Sequence, residues 1–168
     1  MRDDLDVGSE CFICRKHASG DALGCGVIYE DDAVFASHIV VGENNDAYLG
    51  HVFVETRRHV AGLGQLTASE AAAVGVLVND LAEALRSSEG AEHVYGFVYG
   101  DGVPHLHVHL QARYPGTPGE FWPRRDGQAI VVALTEWPGA PRGGIEAVRA
   151  VTQRLHDEVA RIRALRPV

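Results

Sequence analysis

Three histidines at alternate positions most constrain what this chain can fold into. They lie in residues 105–110, HLHVHL. Side chains alternate between the two faces of a β-strand, so the run predicts a strand with three imidazoles on one face and three aliphatic side chains on the other. Imidazoles grouped in this way suit either metal ligation or nucleophilic and acid–base chemistry, because the ordinary pKa of histidine is about 6.5.

Other runs of β-branched and aromatic residues predict the strands that accompany this one. The predicted strands are residues 27–29, 33–41, 48–55, 93–99 and 105–112. The first three are expected to form an antiparallel meander. The last two flank a short glycine-rich turn at residues 100–104, which indicates a hairpin. Residues 114–127 are rich in Pro, Gly and Arg and predict a loop.

Two helices are predicted by apolar residues at three- and four-residue spacing. Thr67 and Glu70 have the T-x-x-E form of a capping box, and an apolar stripe follows between residues 74 and 85. A second stripe between residues 145 and 162 predicts a helix that begins near Gly144. Helices combined with mostly antiparallel strands predict an α+β fold.

Size and composition predict one soluble domain over residues 1–168. The chain has 168 residues, of which 46% are hydrophobic and 23% charged, as in an ordinary globular domain. A formal net charge of -8 argues against duplex nucleic acid as a partner. The sequence contains neither a long apolar run that would span a membrane nor a basic secretory signal, so we expect a cytoplasmic protein.

Cysteine usage indicates metal binding or free thiols. The chain has three cysteines, an odd number in a chain of this length, which makes a disulfide framework improbable. Cys11 and Cys14 have the C-x-x-C spacing at which two thiolates bind one metal ion, but the pair is only half of a tetrahedral site. Two small apolar residues are the alternative interpretation. Cys25 and His17 are alternative ligands, since Cys14 and His17 also have a plausible spacing.

The histidine run resembles the H-x-H-x-H signature of the histidine triad (HIT) superfamily, matched by His105, His107 and His109. Residues 50–60, GHVFVETRRHV, are similar to the family segment G-H-x-L-V-x-P-x-R-H-V. The resemblance covers about residues 11–118 and leaves residues 119–168 as a C-terminal extension with a helix. It implies the HIT-like fold, with about five antiparallel strands and a long helix packed on them, often paired into a homodimer.

The resemblance also implies covalent nucleotidyl transfer. In this family the central histidine attacks the α-phosphorus of a nucleotide, so His107 is the expected nucleophile, and His109 is expected to donate to a nonbridging phosphate oxygen. The expected enzyme is a hydrolase or nucleotidyl transferase acting on a dinucleoside polyphosphate, such as a diadenosine polyphosphate, or on a nucleoside phosphoramidate. The expected substrate-binding residues are Arg113, Gly100, Gly102 and Gln111.

A zinc-containing branch of the superfamily, which includes the galactose-1-phosphate uridylyltransferases, completes a C-x-x-C pair with two histidines. They are the histidine of the R-H-V turn and the first histidine of the triad, here His59 and His105. The resemblance therefore implies a closed, structural Cys2His2 site with one Zn²⁺ per chain, formed by Cys11, Cys14, His59 and His105. The remaining histidines that we interpret as ordinary surface or strand residues are His38, His51, His93 and His156.

The chain departs from the family pattern around the expected substrate pocket. The family places an acidic residue for the ribose hydroxyls in an F-x-D-like setting, whereas Phe35 is followed here by Ala36 and Ser37. Residues 55–56 are Glu-Thr where the family has Ile-Pro, and residues 100–104 contain no Asn, Gln, Ser or Thr. Two alternatives therefore stay open: a HIT-fold enzyme repurposed for a non-nucleotide biosynthetic intermediate, and a non-catalytic nucleotide-binding or regulatory module.

Overall fold

The structure is a computed structural model that describes residues 11–42, 45–122 and 134–166. The helices that position the site are α1 (Phe12–Ala18), α2 (Ala68–Ser87) and α3 (Ile145–Leu165). The strands are β1 (Val27–Glu30), β2 (Val34–His38), β3 (Ala47–Tyr48), β4 (His51–Thr56), β5 (His93–Phe97), β6 (His107–Arg113) and β7 (Arg142–Gly143). None of the helices within these ranges is long and apolar enough to cross a bilayer.

Five strands form one sheet in the order β1-β2-β4-β6-β5, and every neighbouring pair is antiparallel. The short strands β3 and β7 pair with each other separately. Strands β5 and β6 are the predicted hairpin, and β4 lies beside β6 with Val54 opposite Val108 and Glu55 opposite His107. The predicted α+β fold with a five-stranded antiparallel sheet is confirmed.

The core lies between one face of the sheet and the two long helices. Leu77 and Leu81 of α2 and Leu155 of α3 are fully buried in the same cluster as Val54 and Val108 of the sheet. Because side chains alternate along a strand, Glu55 and His107 point to the opposite face, where α1 lies. The sheet therefore separates the core helices from the candidate functional residues Glu55 and His107.

Helix α2 begins where its capping box predicts. The backbone N–H of Glu70 donates to the Thr67 hydroxyl at 3.2 Å, and the Glu70 carboxylate accepts the Thr67 N–H at 2.8 Å. These two bonds satisfy amides that the first turn of a helix leaves free. Helix α3 likewise follows Gly144, as the apolar stripe predicts.

The strand predicted over residues 48–55 is interrupted at Gly50. The backbone there has a φ of +90°, and the hydroxyl of Tyr114 occupies the place that a Cβ would take, so only glycine fits. The strand predicted over 27–29 extends to Glu30, and the bounds of the other predicted strands differ from the structure by one to three residues at one or both ends. Helix α1 was not predicted at all. Of the predicted loop at 114–127, residues 114–122 contain one short 3₁₀ turn and residues 123–127 lie outside the described residues.

Candidate active site and metal centre

His107 is the first residue of β6, and its hydrogen bond leaves one ring nitrogen available. The ring Nδ1 donates to the carbonyl oxygen of His105 at 2.6 Å, since a carbonyl can only accept. A neutral imidazole that donates from Nδ1 carries its lone pair on Nε2. That Nε2 forms no hydrogen bond with any residue that the structure describes, so it is available as a nucleophile.

His109 lies next to His107, with ring centroids 4.9 Å apart, and is fixed by a second histidine. Its Nδ1 is 3.1 Å from Nε2 of His51, a buried residue of β4. Burial and the neighbouring His107 lower the pKa of His109 to about 4, and burial together with His109 lowers the pKa of His51 to about 3. Both imidazoles are therefore neutral at pH 7, and one donates to the other.

The second ring nitrogen of His109, Nε2, is buried and has no hydrogen-bond partner within the described ranges. A buried polar atom without a partner is uncommon in folded proteins and often marks a functional position. Because His109 also lines the cavity beside His107, this nitrogen is suited to meet a substrate atom. The sequence predicts that His51 is an ordinary strand residue. It does lie in strand β4, but that prediction missed its contact with His109.

The two histidines open onto a cavity of about 220 Å³. Its walls are mostly apolar and come from α1, β4, the end of β2 and the loop before β6. The lining residues are Phe12, Ile13, Lys16, Ile39, Val40, Phe53, Glu55, Val103, His107 and His109. Pockets for drug-sized ligands usually measure roughly 300–1,000 Å³, so this cavity holds one compact group of a substrate and not a whole dinucleotide.

A buried ion pair forms the polar wall of this cavity. Lys16 of α1 and Glu55 of β4 each have a side chain only 2% exposed, and the Lys16 ammonium lies 2.5 Å from one Glu55 oxygen. The same ammonium donates to the Ser37 hydroxyl at 3.1 Å. His17 donates from Nε2 to the second Glu55 oxygen at 2.9 Å. Burial alone would raise the pKa of Glu55, but the hydrogen bond from His17 and the charge of Lys16 lower it, so the carboxylate is ionised.

Sequence reasoning missed this pair. Lys16 is the only lysine of the chain, and a lone lysine is normally a surface residue. The available indication was Glu55, an acidic residue in a strand where the family has an aliphatic one. Its partner could not be found from spacing, because the two residues are far apart in the sequence and meet only when α1 lies on the sheet.

The four predicted metal ligands are brought together. Sγ of Cys11 and of Cys14 each lie 3.5 Å from Nδ1 of His105, and Sγ of Cys14 lies 3.4 Å from Nδ1 of His59. All four ligand atoms lie within 4.8 Å of one another. In a tetrahedral zinc site a sulfur and a nitrogen ligand are about 3.6 Å apart, so the spacing fits zinc.

The surroundings of the four residues also suit a cation. His105 is fully buried and donates from Nε2 to the Thr56 carbonyl at 2.7 Å, which leaves Nδ1 free to ligate. Burial and the neighbouring Cys11 raise the pKa of the Cys14 thiol to about 11, so a metal ion that binds here has to displace the thiol proton. The alternative ligands lie elsewhere: His17 binds Glu55, and the Cys25 thiol contacts the Ile39 carbonyl.

The predicted substrate-binding residues do not line the described cavity. Arg113 donates to the Tyr95 hydroxyl at 3.1 Å, pairs with Glu92 at 3.3 Å and stacks 3.8 Å from the Trp122 ring. Gln111 is fully buried in β6. The two glycines belong to the loop that contributes Val103 to the cavity. Substrate contacts by Arg113, Gly100, Gly102 and Gln111 stay predictions.

The comparison with protein families decides the classification of the chain. Residues 23–116 match the HIT domain family, which is more than half of the chain. The chain belongs to the HIT family. No curated protein matches it significantly. The predicted superfamily is therefore confirmed, while its branch is not assigned by this match.

Solved structures of HIT proteins share the fold. A Zn-bound histidine triad family protein from Mycobacterium smegmatis has a TM-score of 0.65 and 18% identity, with 95% of this chain and 99% of that chain covered. A Hit-like protein from Bartonella henselae has a TM-score of 0.60 and 16% identity, over 89% and 97% of the two chains. A hypothetical histidine triad nucleotide-binding protein from Sulfolobus tokodaii has a TM-score of 0.58 and 14% identity, over 82% and 85%.

Proposed function

We propose that this HIT protein is a nucleotide hydrolase or nucleotidyl transferase with His107 as its nucleophile. The observation that carries the proposal is the bond from His107 Nδ1 to the His105 carbonyl, which leaves Nε2 as a lone-pair donor beside a cavity. The substrates we propose are a dinucleoside polyphosphate, a nucleoside phosphoramidate or a similar compound cleaved at the α-phosphate. Membership of the HIT family and the likeness to a nucleotide-binding protein support this class.

The reaction has two steps. The Nε2 lone pair of His107 attacks the α-phosphorus, a P–N bond forms, and the leaving group departs with the electron pair of its P–O or P–N bond and gains a proton. Water, or another acceptor with an O–H group, then attacks the same phosphorus. The P–N bond to His107 breaks, the acceptor loses its proton, and the neutral imidazole is restored. Splitting one displacement into two in this way lowers the barrier of each step.

His109 acts on the phosphate oxygens in this proposal. If His51 donates from Nε2 to Nδ1 of His109, then His109 carries its proton on Nε2, the nitrogen without a protein partner in the described structure. A neutral N–H at this position donates to a nonbridging oxygen and stabilises the negative charge that grows in the transition state.

We also propose that Cys11, Cys14, His59 and His105 hold one structural Zn²⁺ per chain. The distances among these four residues support zinc, as does the likeness to the Zn-bound protein from Mycobacterium smegmatis. Bound zinc would supply a rigid link between α1 and the residue before the triad strand, with four protein ligands and no open position for substrate. His105 also accepts the His107 N–H, so the metal site and the nucleophile share one residue.

A homodimer is part of the proposal, since β5 is the outer strand of the sheet and no described strand pairs with its free edge.

The buried charges in the cavity favour the second candidate function, an enzyme repurposed for a non-nucleotide intermediate. The third candidate, a non-catalytic module, predicts no covalent intermediate. The single domain over residues 1–168, the cytoplasmic location and the absence of duplex nucleic acid as a partner stay predictions.

The test is turnover of diadenosine tetraphosphate, diadenosine triphosphate and adenosine phosphoramidate by zinc-loaded protein, with an alkaline quench and mass spectrometry to detect an adduct on His107. We expect turnover that disappears in His107→Ala and persists in His156→Ala, an exposed histidine of α3 that serves as the matched control. Folded wild-type protein that forms neither product nor adduct from all three compounds would contradict the proposal.

A further inference from the structure

The buried ammonium of Lys16 has donor capacity that the described protein does not use. A lysine ammonium has three N–H donors. One donates to Glu55 and one to Ser37, and the third has no oxygen or nitrogen acceptor among the residues that the structure describes. A buried donor is costly to leave without an acceptor. Because Lys16 lines the cavity together with His107, a substrate group in the cavity is within its reach.

The charge balance of the cluster defines which acceptor fits. The Glu55 carboxylate, 2.5 Å away, already compensates the positive charge of Lys16. A carboxylate or phosphate oxygen bound to this ammonium would lie against the Glu55 carboxylate, and burying a second negative charge there is unfavourable. The proposed function accordingly assigns the substrate phosphate to His107 and His109 and not to Lys16. A neutral oxygen acceptor satisfies the third N–H without changing the net charge.

The rest of the cavity defines the group that carries the oxygen. Phe12, Ile39, Val40 and Phe53 contribute apolar walls, and the Lys16 ammonium lies 5.2 Å from the centre of the Phe53 ring. Apolar walls with the Lys16 ammonium as a donor, apart from the two triad histidines that the proposed function assigns to phosphate, suit a compact, flat or aliphatic group bearing a single carbonyl oxygen. The cavity volume of about 220 Å³ limits this group to roughly the size of one ring system.

We infer that Lys16 is a specificity-determining residue that selects substrates whose group in the cavity carries a neutral carbonyl oxygen. This inference rests on the proposed function, and it names the substrate class: nucleotides or related phosphate compounds with an oxo-substituted ring, in preference to rings that lack a carbonyl. Glu55 and Ser37 position the ammonium, and His17 holds the second oxygen of Glu55.

The experiment compares the 5′-phosphoramidates of inosine and purine riboside, whose bases differ by the oxo group and its tautomeric proton. Adenosine 5′-phosphoramidate is included as the compound with an amino group in place of the oxo group. In wild-type protein we expect kcat/KM for inosine to exceed that for purine riboside by roughly 10- to 100-fold, the ratio for one hydrogen bond to a charged group. In Lys16→Met the ratio should fall to about 1, with most of the change in KM, as expected for a lost binding contact.

Lys16→Met leaves Glu55 buried with only His17 as its partner, so the double variant Lys16→Met, Glu55→Leu is measured in parallel to guard against misfolding. Its inosine preference should also be absent. Titration calorimetry with the 5′-monophosphates of the same nucleosides gives a readout without turnover, and should show the same preference. An equal preference in wild type and either folded variant would refute the role of Lys16 even with His107-dependent turnover intact. If the wild-type protein neither binds nor turns over any of these nucleotides, the proposed function is refuted, and this inference with it.

Discussion

Removing the charge of Glu55 should destabilise the protein far more than removing both charges of its ion pair. Glu55→Leu keeps a side chain of similar size but leaves the Lys16 ammonium buried without a counter-ion, in a place where both side chains are only 2% exposed. Breaking a buried pair in this way costs about 3–5 kcal/mol of unfolding free energy, because the remaining charge is desolvated and has no counter-ion to compensate it. Solvent screening does not reduce this figure at such low exposure.

The double variant Lys16→Met, Glu55→Leu measures the interaction free energy between Lys16 and Glu55. With both charges gone, apolar side chains of similar volume occupy the same space, and replacing a whole buried pair is often close to neutral. His17 still loses its acceptor at Glu55, so we expect recovery of most but not all of the loss. The assay is urea unfolding at pH 7 with equal zinc loading, and the coupling energy is read from the double-mutant cycle.

The matched control is Arg161→Met, which breaks an exposed pair with Glu158 and should change stability little. If Glu55→Leu lost no more stability than this control, the ammonium would be reaching water in solution. The third donor of Lys16 would then already have an acceptor, and its selection of a carbonyl group would lose its physical basis. A double variant no more stable than Glu55→Leu would also contradict the reasoning.

Three further predictions concern the fold and the metal. Burial holds the pKa of His38 at about 4 against an ordinary value near 6.5, so its neutral form contributes stability that is present at pH 7 and lost as the pH falls through this window. The stability advantage of wild type over His38→Asn should therefore shrink by about 2 kcal/mol between pH 7 and pH 5. Asp80→Asn, which weakens the link from buried Asp80 to Arg163, should cost about 1–3 kcal/mol in urea unfolding. Chelation of the proposed Zn²⁺ should speed amide hydrogen exchange in α1 and leave α2 unchanged.

Each of these predictions can fail in a distinct way. A difference between wild type and His38→Asn that does not change with pH would mean that His38 titrates as it does in the unfolded chain. Asp80→Asn with wild-type stability would show that the ion pair contributes nothing to helix packing. Equal exchange in α1 before and after chelation would show that the metal does not hold this helix on the sheet.

The parts of the fold that were predicted are those encoded by local pattern. The capping box at Thr67 and the apolar stripe that follows define α2, because both the cap and the buried face of a helix repeat over three or four residues. The alternation of His107, Val108 and His109 defines β6 in the same way. The four residues proposed as metal ligands lie together as the resemblance to a family implies, and sequence spacing alone would not have grouped them, since no local pattern connects Cys14 to His59.

The parts that were missed depend on contacts between distant segments. The break at Gly50 goes with the Tyr114 side chain, which lies there because Tyr114 follows β6 and β6 pairs with β4. Helix α1 spans seven residues, too short to be stable alone, so its sequence carries little helical pattern. The pairing of Lys16 with Glu55 depends in turn on where α1 docks, which spacing along the chain does not determine.

Helix α1 connects the proposed metal site to the cavity beside His107. Cys14 lies on α1 and Cys11 directly precedes it, while Phe12, Ile13 and Lys16 of the same helix line the cavity. A helix of this length owes its position to what it binds, here His59 and His105 on one side and Glu55 on the other. A change at the metal ligands should therefore move the donor of Lys16 as well as the backbone next to His107. Metal binding at the proposed site is thus expected to affect both the substrate preference set by Lys16 and the position of His107.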